Sequence, residues 1–115
     1  MPSKIERCAI YIRVSTAEQM MHGKSLEAQK QYLTNYAKEH NMTVAGVYAD
    51  EGKTARKELK KRKAIHSLLE DVKAGKIDVI IFWRIDRWFR NLSDFYKVQE
   101  VLDDNNVRWI STSEP

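Results

Sequence analysis

The uninterrupted apolar run Val79-Ile80-Ile81-Phe82-Trp83 is the sequence feature that most limits how this chain can fold. A strand with one face in water alternates apolar and polar residues, whereas a strand buried on both faces is apolar throughout. Parallel strands are buried in this way, because the connections between them place helices on both faces of the sheet. The run therefore predicts a central parallel strand with a helical layer on each side.

The rest of the chain alternates between strand and helix patterns. Three more strands are predicted, at Ala9 to Val14, Thr43 to Tyr48 and Arg108 to Ser111. The first predicted helix begins at an N-cap, Ser25, and ends at about Asn41. The second has apolar residues at helical spacing, Ala64, Ile65, Leu68, Leu69 and Val72, and stops at Gly75. The third is marked by Phe95, Val98, Val101 and Leu102. Because such alternation favours right-handed crossovers, we expect one α/β domain with three α/β/α layers. Its central sheet is expected to be mostly parallel, with about four strands.

The composition indicates one water-soluble domain. The 115 residues suffice for one core, and no apolar run approaches the roughly 20 residues of a membrane helix. The N-terminus lacks the apolar stretch of a signal peptide, so we expect a cytoplasmic protein without membrane contact. Cys8 is the only cysteine, which excludes an internal disulfide and a cysteine zinc site and predicts a small core residue. The chain stops just after a predicted strand, so we expect residues 1–115 to be a C-terminally truncated fragment of a longer protein.

Basic residues are concentrated in one segment of the chain. The net charge is +4 and the pI about 9.2, values that fit a polyanionic partner without requiring one. Between residues 53 and 63 the only acid is Glu58, and the basic residues are Lys53, Arg56, Lys57, Lys60, Lys61, Arg62 and Lys63. The segment is interpreted either as a solvated face or as a surface that binds a polyanion.

Arg13 and Ser15 stand at the end of the first predicted strand, two residues apart. Side chains alternate along a strand, so both project from the same face. The carboxyl ends of parallel strands share one edge of the sheet, which is where ligands bind in α/β proteins. A hydroxyl beside a fixed guanidinium at that edge suits attack on a phosphate.

Charged residues follow two other predicted strands. Asp50 follows the second strand, and Asp86, Arg87 and Arg90 follow the third, so all four are expected near Ser15. Arg87 and Arg90 are three residues apart and would share a face in a helical turn. Guanidinium groups bind phosphate oxygens bidentately and keep their charge, so this set is suited to phosphoryl transfer.

Each of these residues also has a purely structural interpretation. A serine at a strand end commonly makes a turn or a cap. Arg13 in an apolar strand needs a partner, and a buried pair with Asp50 or Asp86 would fit a non-catalytic α/β signalling or protein-interaction module. The residues from Asp86 to Arg90 could form a surface ion-pair turn.

Other chemistries have less support in the sequence. The three histidines lack metal-ligand spacing, and no glycine-rich phosphate loop is present, so no metal site and no cofactor are expected. A magnesium-dependent nuclease using Asp50, Asp78 and Asp86 is disfavoured, because the neighbouring arginines would repel the cation.

Together these motifs resemble the serine recombinases, the resolvase and invertase family that includes the large serine integrases. Tyr11-Ile12-Arg13-Val14-Ser15-Thr16 resembles the nucleophile motif of that family. Gln19 and Ser25-Leu26-Glu27-Ala28-Gln29 are similar to its continuation, and Asp86-Arg87-Trp88-Phe89-Arg90 is similar to the Asp-Arg-x-x-Arg signature. The matches occur in family order and cover nearly the whole chain. They imply a resolvase-like fold and a site-specific recombinase that cuts and rejoins double-stranded DNA.

The resemblance also implies roles for individual residues. Ser15 would be the nucleophile that forms a 5′-phosphoserine link, and Arg13, Arg87 and Arg90 would hold the scissile phosphate. Gln19, Gln29, Asp50 and Asp86 would orient these groups, with Thr54 and Arg62 in support and Arg56, Lys57, Lys60 and Lys61 contacting DNA. No metal or nucleotide is needed, because the ester keeps the energy of the broken bond. The full-length protein would act as a dimer and as a synaptic tetramer.

The sequence departs from the family pattern in the segment after Asp50. Thr54-Ala55 stands where the family usually has Ser-Gly, and Lys63 follows Arg62 in place of a common proline. Thr54 keeps a hydroxyl, whereas Ala55 lacks the backbone freedom of glycine. The dimerisation helix and the DNA-binding region of the family are expected beyond Pro115, so we expect the isolated fragment to recombine DNA weakly or not at all.

Overall fold

The structure is a computed structural model that describes residues 5–15, 26–52, 63–83 and 92–112. It contains the predicted strands and helices in the predicted order. The strands are β1 (Glu6–Ser15), β2 (Met42–Gly52), β3 (Val79–Phe82) and β4 (Arg108–Ser111). The helices are α1 (Leu26–Glu39), α2 (Lys63–Lys73) and α3 (Leu92–Asp104).

The first two strands are longer than their apolar patterns predicted. β1 begins at Glu6 rather than Ala9, and β2 continues past Tyr48 to Gly52. The two strands pair in parallel from Glu6 opposite Met42 to Ser15 opposite Gly52. Ladder hydrogen bonds extend each strand into polar residues that periodicity alone would assign to loops. Asp50 therefore belongs to β2 rather than to the turn that closes it.

The four strands form one parallel sheet in the order β2-β1-β3-β4. This confirms the predicted α/β class and the expected strand number. The connection after β1 leads to α1, whereas the connection after β3 leads to α3 on the opposite face. The carboxyl ends of two neighbouring strands whose connections diverge in this way flank a crevice, which is the usual ligand site of open α/β sheets.

Two hydrophobic cores cover the two faces of the sheet and complete the three layers. On one face α1 packs Leu33 and Ala37 against strand residues that include Ile10. On the other face α2 and α3 pack residues such as Leu68 and Leu102 against the sheet. β3 is buried at every position, in agreement with the fully apolar run.

Local signals account for several details of the elements. Gly75 has a φ of 75°, and its N–H donates to the Val72 carbonyl at 3.1 Å, so it ends α2 as predicted. Cys8 is fully buried in the core, as expected, and burial raises the pKa of its thiol. In the part of the chain that the structure describes, no helix is both long and apolar enough to cross a bilayer.

Ion pairs hold the amino ends of the strands, at the edge opposite the expected site. The Arg7 guanidinium binds both carboxylate oxygens of Asp78 at 3.0 Å, and the Arg7 backbone N–H donates to the same carboxylate at 2.8 Å. Arg108 at the start of β4 binds Glu6 in β1 across the intervening strand. These contacts fix the relative register of β1, β3 and β4.

Candidate active site at the carboxyl edge of the sheet

The buried polar residues of the described ranges are the first structural evidence for a site. They are Arg13, Gln29 and Asp50, which are 8%, 5% and 6% exposed. Burying polar and charged side chains is unfavourable unless they are paired, so such residues are expected where a fold has a specific use for them. All three were predicted site residues, and all three lie near the carboxyl edge of the sheet.

Arg13 and Ser15 lie on the part of β1 that extends beyond β3. β1 pairs with β3 from Cys8 to Ile10, whereas it pairs with β2 as far as Ser15. Arg13 is opposite Asp50 in this register, and the backbone of Ser15 is opposite Gly52. The side chain of Ser15 lies outside the described part of the structure. That it shares a face with Arg13 stays a prediction from the sequence.

Asp50 connects three elements through its carboxylate. Tyr11 of β1 donates its hydroxyl to one Asp50 oxygen at 2.8 Å. The backbone N–H groups of Ala64 and Ile65, in the first turn of α2, donate to the carboxylate at 2.9 and 3.2 Å. Amides at a helix N-terminus have no partner within the helix, and the first turn of α2 contains no acid of its own. Asp50 therefore caps α2 from the neighbouring strand and complements its helix dipole.

Tyr11 belongs to this cluster of buried polar groups, although the sequence analysis assigned it no role. It was interpreted as part of an apolar strand, yet its fully buried ring carries the hydroxyl that binds Asp50. A buried phenol needs a hydrogen-bond partner. The spacing Tyr11, Arg13, Ser15 places all three on one face of the strand, and this was the signal that could have identified it.

Gln29 reaches the same edge from the other face of the sheet. It lies in the first turn of α1, four residues before the core residue Leu33. This spacing places Gln29 on the sheet-facing side of the helix, which explains its burial.

Most of the predicted polar site residues lie outside the described residues. They are Gln19, Thr54, Arg56, Lys57, Lys60, Lys61, Arg62, Asp86, Arg87 and Arg90. The described ends of their segments are Ser15, Gly52 and Phe82, followed by the first turns of α1, α2 and α3. In a parallel sheet with helical crossovers all of these ends lie at the carboxyl edge. The convergence of the side chains themselves stays a prediction.

The described residues also bear on metal chemistry. Within residues 5–15, 26–52, 63–83 and 92–112, no group of three or more histidine, cysteine or acidic side chains could hold a metal ion. The described carboxylates at the two ends of the sheet are instead bound to protein groups, Asp50 to Tyr11 and to helix amides, and Asp78 to Arg7.

Comparison with known proteins agrees with this fold. The family described as "Resolvase, N terminal domain" matches residues 8–115. The N-terminal catalytic domain of TP901-1 integrase is 33% identical with a TM-score of 0.79, over 92% of this chain and 77% of that one. A resolvase family site-specific recombinase from Streptococcus pneumoniae is 32% identical with a TM-score of 0.74, over 94% of this chain and 72% of that one.

A curated protein is similar over most of the chain. It is a protein of Bacillus subtilis (strain 168) named "Putative DNA recombinase", 34% identical over 99 residues. The match covers 86% of this chain but only 19% of that relative, so the chain corresponds to about a fifth of the relative's length. Because the family match includes nearly every residue and the solved structures share the fold, the chain belongs to the resolvase family of serine recombinases.

Proposed function

We propose that this chain is the catalytic domain of a site-specific DNA recombinase that cuts and rejoins DNA through Ser15. The observation that carries the proposal is Arg13, a guanidinium buried at the carboxyl end of β1, two residues before Ser15. A buried cation next to a serine at the ligand edge of a parallel sheet suits an anionic substrate. Membership of the resolvase family supports DNA as that substrate.

The proposed reaction is a transesterification. The Ser15 hydroxyl loses its proton and its oxygen attacks the phosphorus of a DNA phosphodiester. The bond between phosphorus and the 3′ oxygen breaks, which leaves a 5′-phosphoserine ester and a 3′ hydroxyl that takes up a proton. Attack of a 3′ hydroxyl on the ester reverses these steps and rejoins the DNA. The number of phosphoester bonds is unchanged, so neither a nucleotide nor an oxidant is required.

The remaining residues are proposed to position and stabilise the reacting groups. Arg13, Arg87 and Arg90 would bind the non-bridging oxygens, where negative charge increases in the transition state. Gln19, Gln29, Asp50 and Asp86 would orient them, with Thr54 and Arg62 in support. Arg56, Lys57, Lys60 and Lys61 would contact the DNA backbone, so Lys57→Ala is expected mainly to reduce the salt dependence of binding. Dimers and synaptic tetramers of the full-length protein would bring two DNA sites together.

The alternative is a non-catalytic α/β signalling or protein-interaction module in which Arg13 forms a structural pair with an aspartate and Asp50 has a purely structural function. Two of the three hydrogen bonds that Asp50 accepts favour this alternative, because they come from the first-turn amides of α2 and are the bonds of a helix cap. The two candidates differ in one property that can be measured, which is the formation of a covalent bond between protein and DNA.

The test is covalent trapping on nicked duplexes. The full-length protein that contains this domain is incubated with a pool of nicked duplexes of randomised sequence, and adducts are identified by mass spectrometry after nuclease and protease digestion. We expect a nucleotide on the peptide that contains Ser15, and its loss in Ser15→Ala and in Arg13→Ala. Ser67→Ala, an exposed serine on α2, is the matched control and should retain the adduct. An adduct that persists in Ser15→Ala would assign the nucleophile to another residue.

A further inference from the structure

We propose that Gln99 is a positioning residue, which fixes α3 along the sheet through a hydrogen bond to Trp109 and so limits where the arginines that precede α3 can lie. The inference rests on the proposed function, because Arg87 and Arg90 are the arginines that would bind the scissile phosphate. It assigns a role to one residue of α3 and one of β4, both outside the motifs that resemble those of the family.

The side chain of Gln99 is held in one orientation. It is half-buried on α3, and its Oε1 accepts a hydrogen bond from the indole Nε1–H of Trp109 in β4 at 2.8 Å. Its Nε2 donates to a carboxylate oxygen of Asp103, one turn further along the helix, at 2.9 Å. The two bonds use the nitrogen and the oxygen of the amide separately, so the bond to Asp103 keeps the oxygen directed at Trp109.

Trp109 is in turn fixed by aromatic contacts. Its ring centroid lies 5.5 Å from that of Phe82 in β3 and 6.2 Å from that of Phe95 in α3. Both distances fall in the range of favourable aromatic pairs. The indole therefore belongs to the packed face of the sheet, and a helix residue that is bonded to it has a fixed reference point.

The hydrogen bond adds direction to the apolar packing of α3. Val98 and Leu102 of this helix are buried in the core of the same face of the sheet. Apolar burial is non-directional, so it tolerates a small slide or tilt of the helix. A hydrogen bond, by contrast, weakens when its distance and angle change. The contact between Gln99 and Trp109 therefore selects one position of α3 among those that bury the same apolar surface.

The end of α3 that is remote from the proposed site is fixed by a tight turn. Asn106 has a φ of 57°, and the N–H of Val107 donates to the Leu102 carbonyl at 2.9 Å. These contacts end the helix and lead directly into β4. The opposite end of the helix, Leu92, lies at the carboxyl edge of the sheet. A tilt of α3 about the turn would therefore move the end at Leu92 most.

Gln99 lies between this turn and the helix end that matters for the reaction. With a rise of about 1.5 Å per residue, Gln99 is roughly 8 Å and Leu92 roughly 18 Å from Asp104 along the helix axis. A tilt that moves Gln99 by about 0.4 Å would therefore move Leu92 by about 1 Å. Arg90 is two residues before Leu92 in the chain, so such a shift alters the positions open to its guanidinium. A misplacement of about 1 Å can lower a rate roughly 100-fold.

Two substitutions of Gln99 separate its two hydrogen bonds. Gln99→Glu keeps an oxygen that can accept from Trp109, but it loses the donor to Asp103. Gln99→Met has a similar length and loses both bonds. Trp109→Phe removes the indole donor from the other side and keeps an aromatic ring. If Gln99 acts through Trp109, Gln99→Met should have little further effect once Trp109→Phe is present.

The experiment measures the rate of Ser15 adduct formation in the full-length protein at increasing concentrations of the nicked duplexes. We expect Gln99→Met to lower the rate at saturating DNA about 10- to 100-fold, a typical loss from misalignment. The DNA concentration at half saturation should stay within about twofold, because no contact with DNA is lost. Gln99→Glu should keep the rate within about threefold, because a second charge one turn from Asp103 costs little. Gln31→Met, the same substitution at an exposed position of α1, is the control and should change neither quantity.

Other results would overturn the inference in distinguishable ways. If Gln99→Glu is as slow as Gln99→Met, or if the effects of Gln99→Met and Trp109→Phe multiply, the bond to Trp109 is not the cause. If Gln99→Met changes half saturation as much as the rate, Gln99 acts on DNA binding. If Gln99→Met is as fast as the wild type while Ser15→Ala abolishes the adduct, the positioning role fails and the proposed function stands. If the wild-type protein forms no adduct, the proposed function fails and the inference fails with it. Should Trp109→Phe not fold, the comparison of Gln99→Met with Gln99→Glu decides alone.

Discussion

The buried hydroxyl of Thr112 has no partner among the residues that the structure describes, and replacing it should stabilise the protein. The residue follows β4, and its backbone N–H donates to the Phe82 carbonyl at 2.9 Å. Its Oγ1 is shielded from solvent and has no hydrogen-bond partner among the described residues. Leaving a polar group buried and unpaired costs about 1–3 kcal/mol, and valine has nearly the same shape as threonine without the hydroxyl. Thr112→Val should therefore raise the free energy of unfolding by about 1 kcal/mol or more.

The gain can be converted into a melting temperature. An unfolding entropy of roughly 2.1 cal/mol/K per residue gives about 0.24 kcal/mol/K for the 115 residues, so 1 kcal/mol corresponds to about 4 °C. Calorimetry and urea unfolding would measure the change, with an unchanged m value expected. Thr34→Val is the matched control, because the Thr34 hydroxyl donates to the Lys30 carbonyl at 2.7 Å, and no gain is expected there. The reasoning is refuted if Thr112→Val is no more stable than the wild type, or if Thr34→Val gains as much.

Three further predictions concern single positions. Burial, together with the hydrogen bond to Asp71, raises the pKa of Tyr48 above its ordinary value, so this residue stabilises the fold below about pH 10 and loses that contribution as the pH rises further. Alkaline unfolding curves should show a weaker pH dependence for Tyr48→Phe, and identical curves for the two proteins would contradict this. Cys8 is buried and the pKa of its thiol is raised, so Ellman's reagent should label it only as fast as the protein unfolds. Rapid labelling of the native protein would show that the reagent reaches Cys8 without unfolding. Gly75→Ala should lower the free energy of unfolding by about 1 kcal/mol in urea titrations, because alanine is strained at the positive φ of this position, while its Cβ would touch no other atom. An unchanged free energy of unfolding would mean that the turn changes its conformation to relieve the strain.

The Asp50 contacts also explain how the two interpretations of this site can be reconciled. A helix cap and an active-site residue are different functions, yet one carboxylate can serve both when the capped helix begins at the ligand edge. α2 begins there because its crossover leaves the carboxyl end of β2. The bonds of Asp50 join β1, β2 and the first turn of α2 at this edge.

Local sequence patterns determined the elements and the face on which the key residues lie. The apolar run of β3 predicted a strand buried on both sides, and Gly75 predicted the end of α2. These features depend only on residues that are neighbours in the chain, through strand alternation and backbone conformation. The order of the motifs likewise sufficed to indicate the family.

Only the tertiary structure decided which distant residues meet. The order β2-β1-β3-β4 made Asp50 the neighbour of Arg13, extended β2 to include it, and brought Tyr11 and the first turn of α2 to its carboxylate. It also buried the Thr112 hydroxyl without a partner in the described part of the chain. Such contacts join residues many positions apart, and a chain of this composition could pair its strands in other orders with the same local patterns. Strand pairing and helix packing select one order, and with it the partner of each buried polar group.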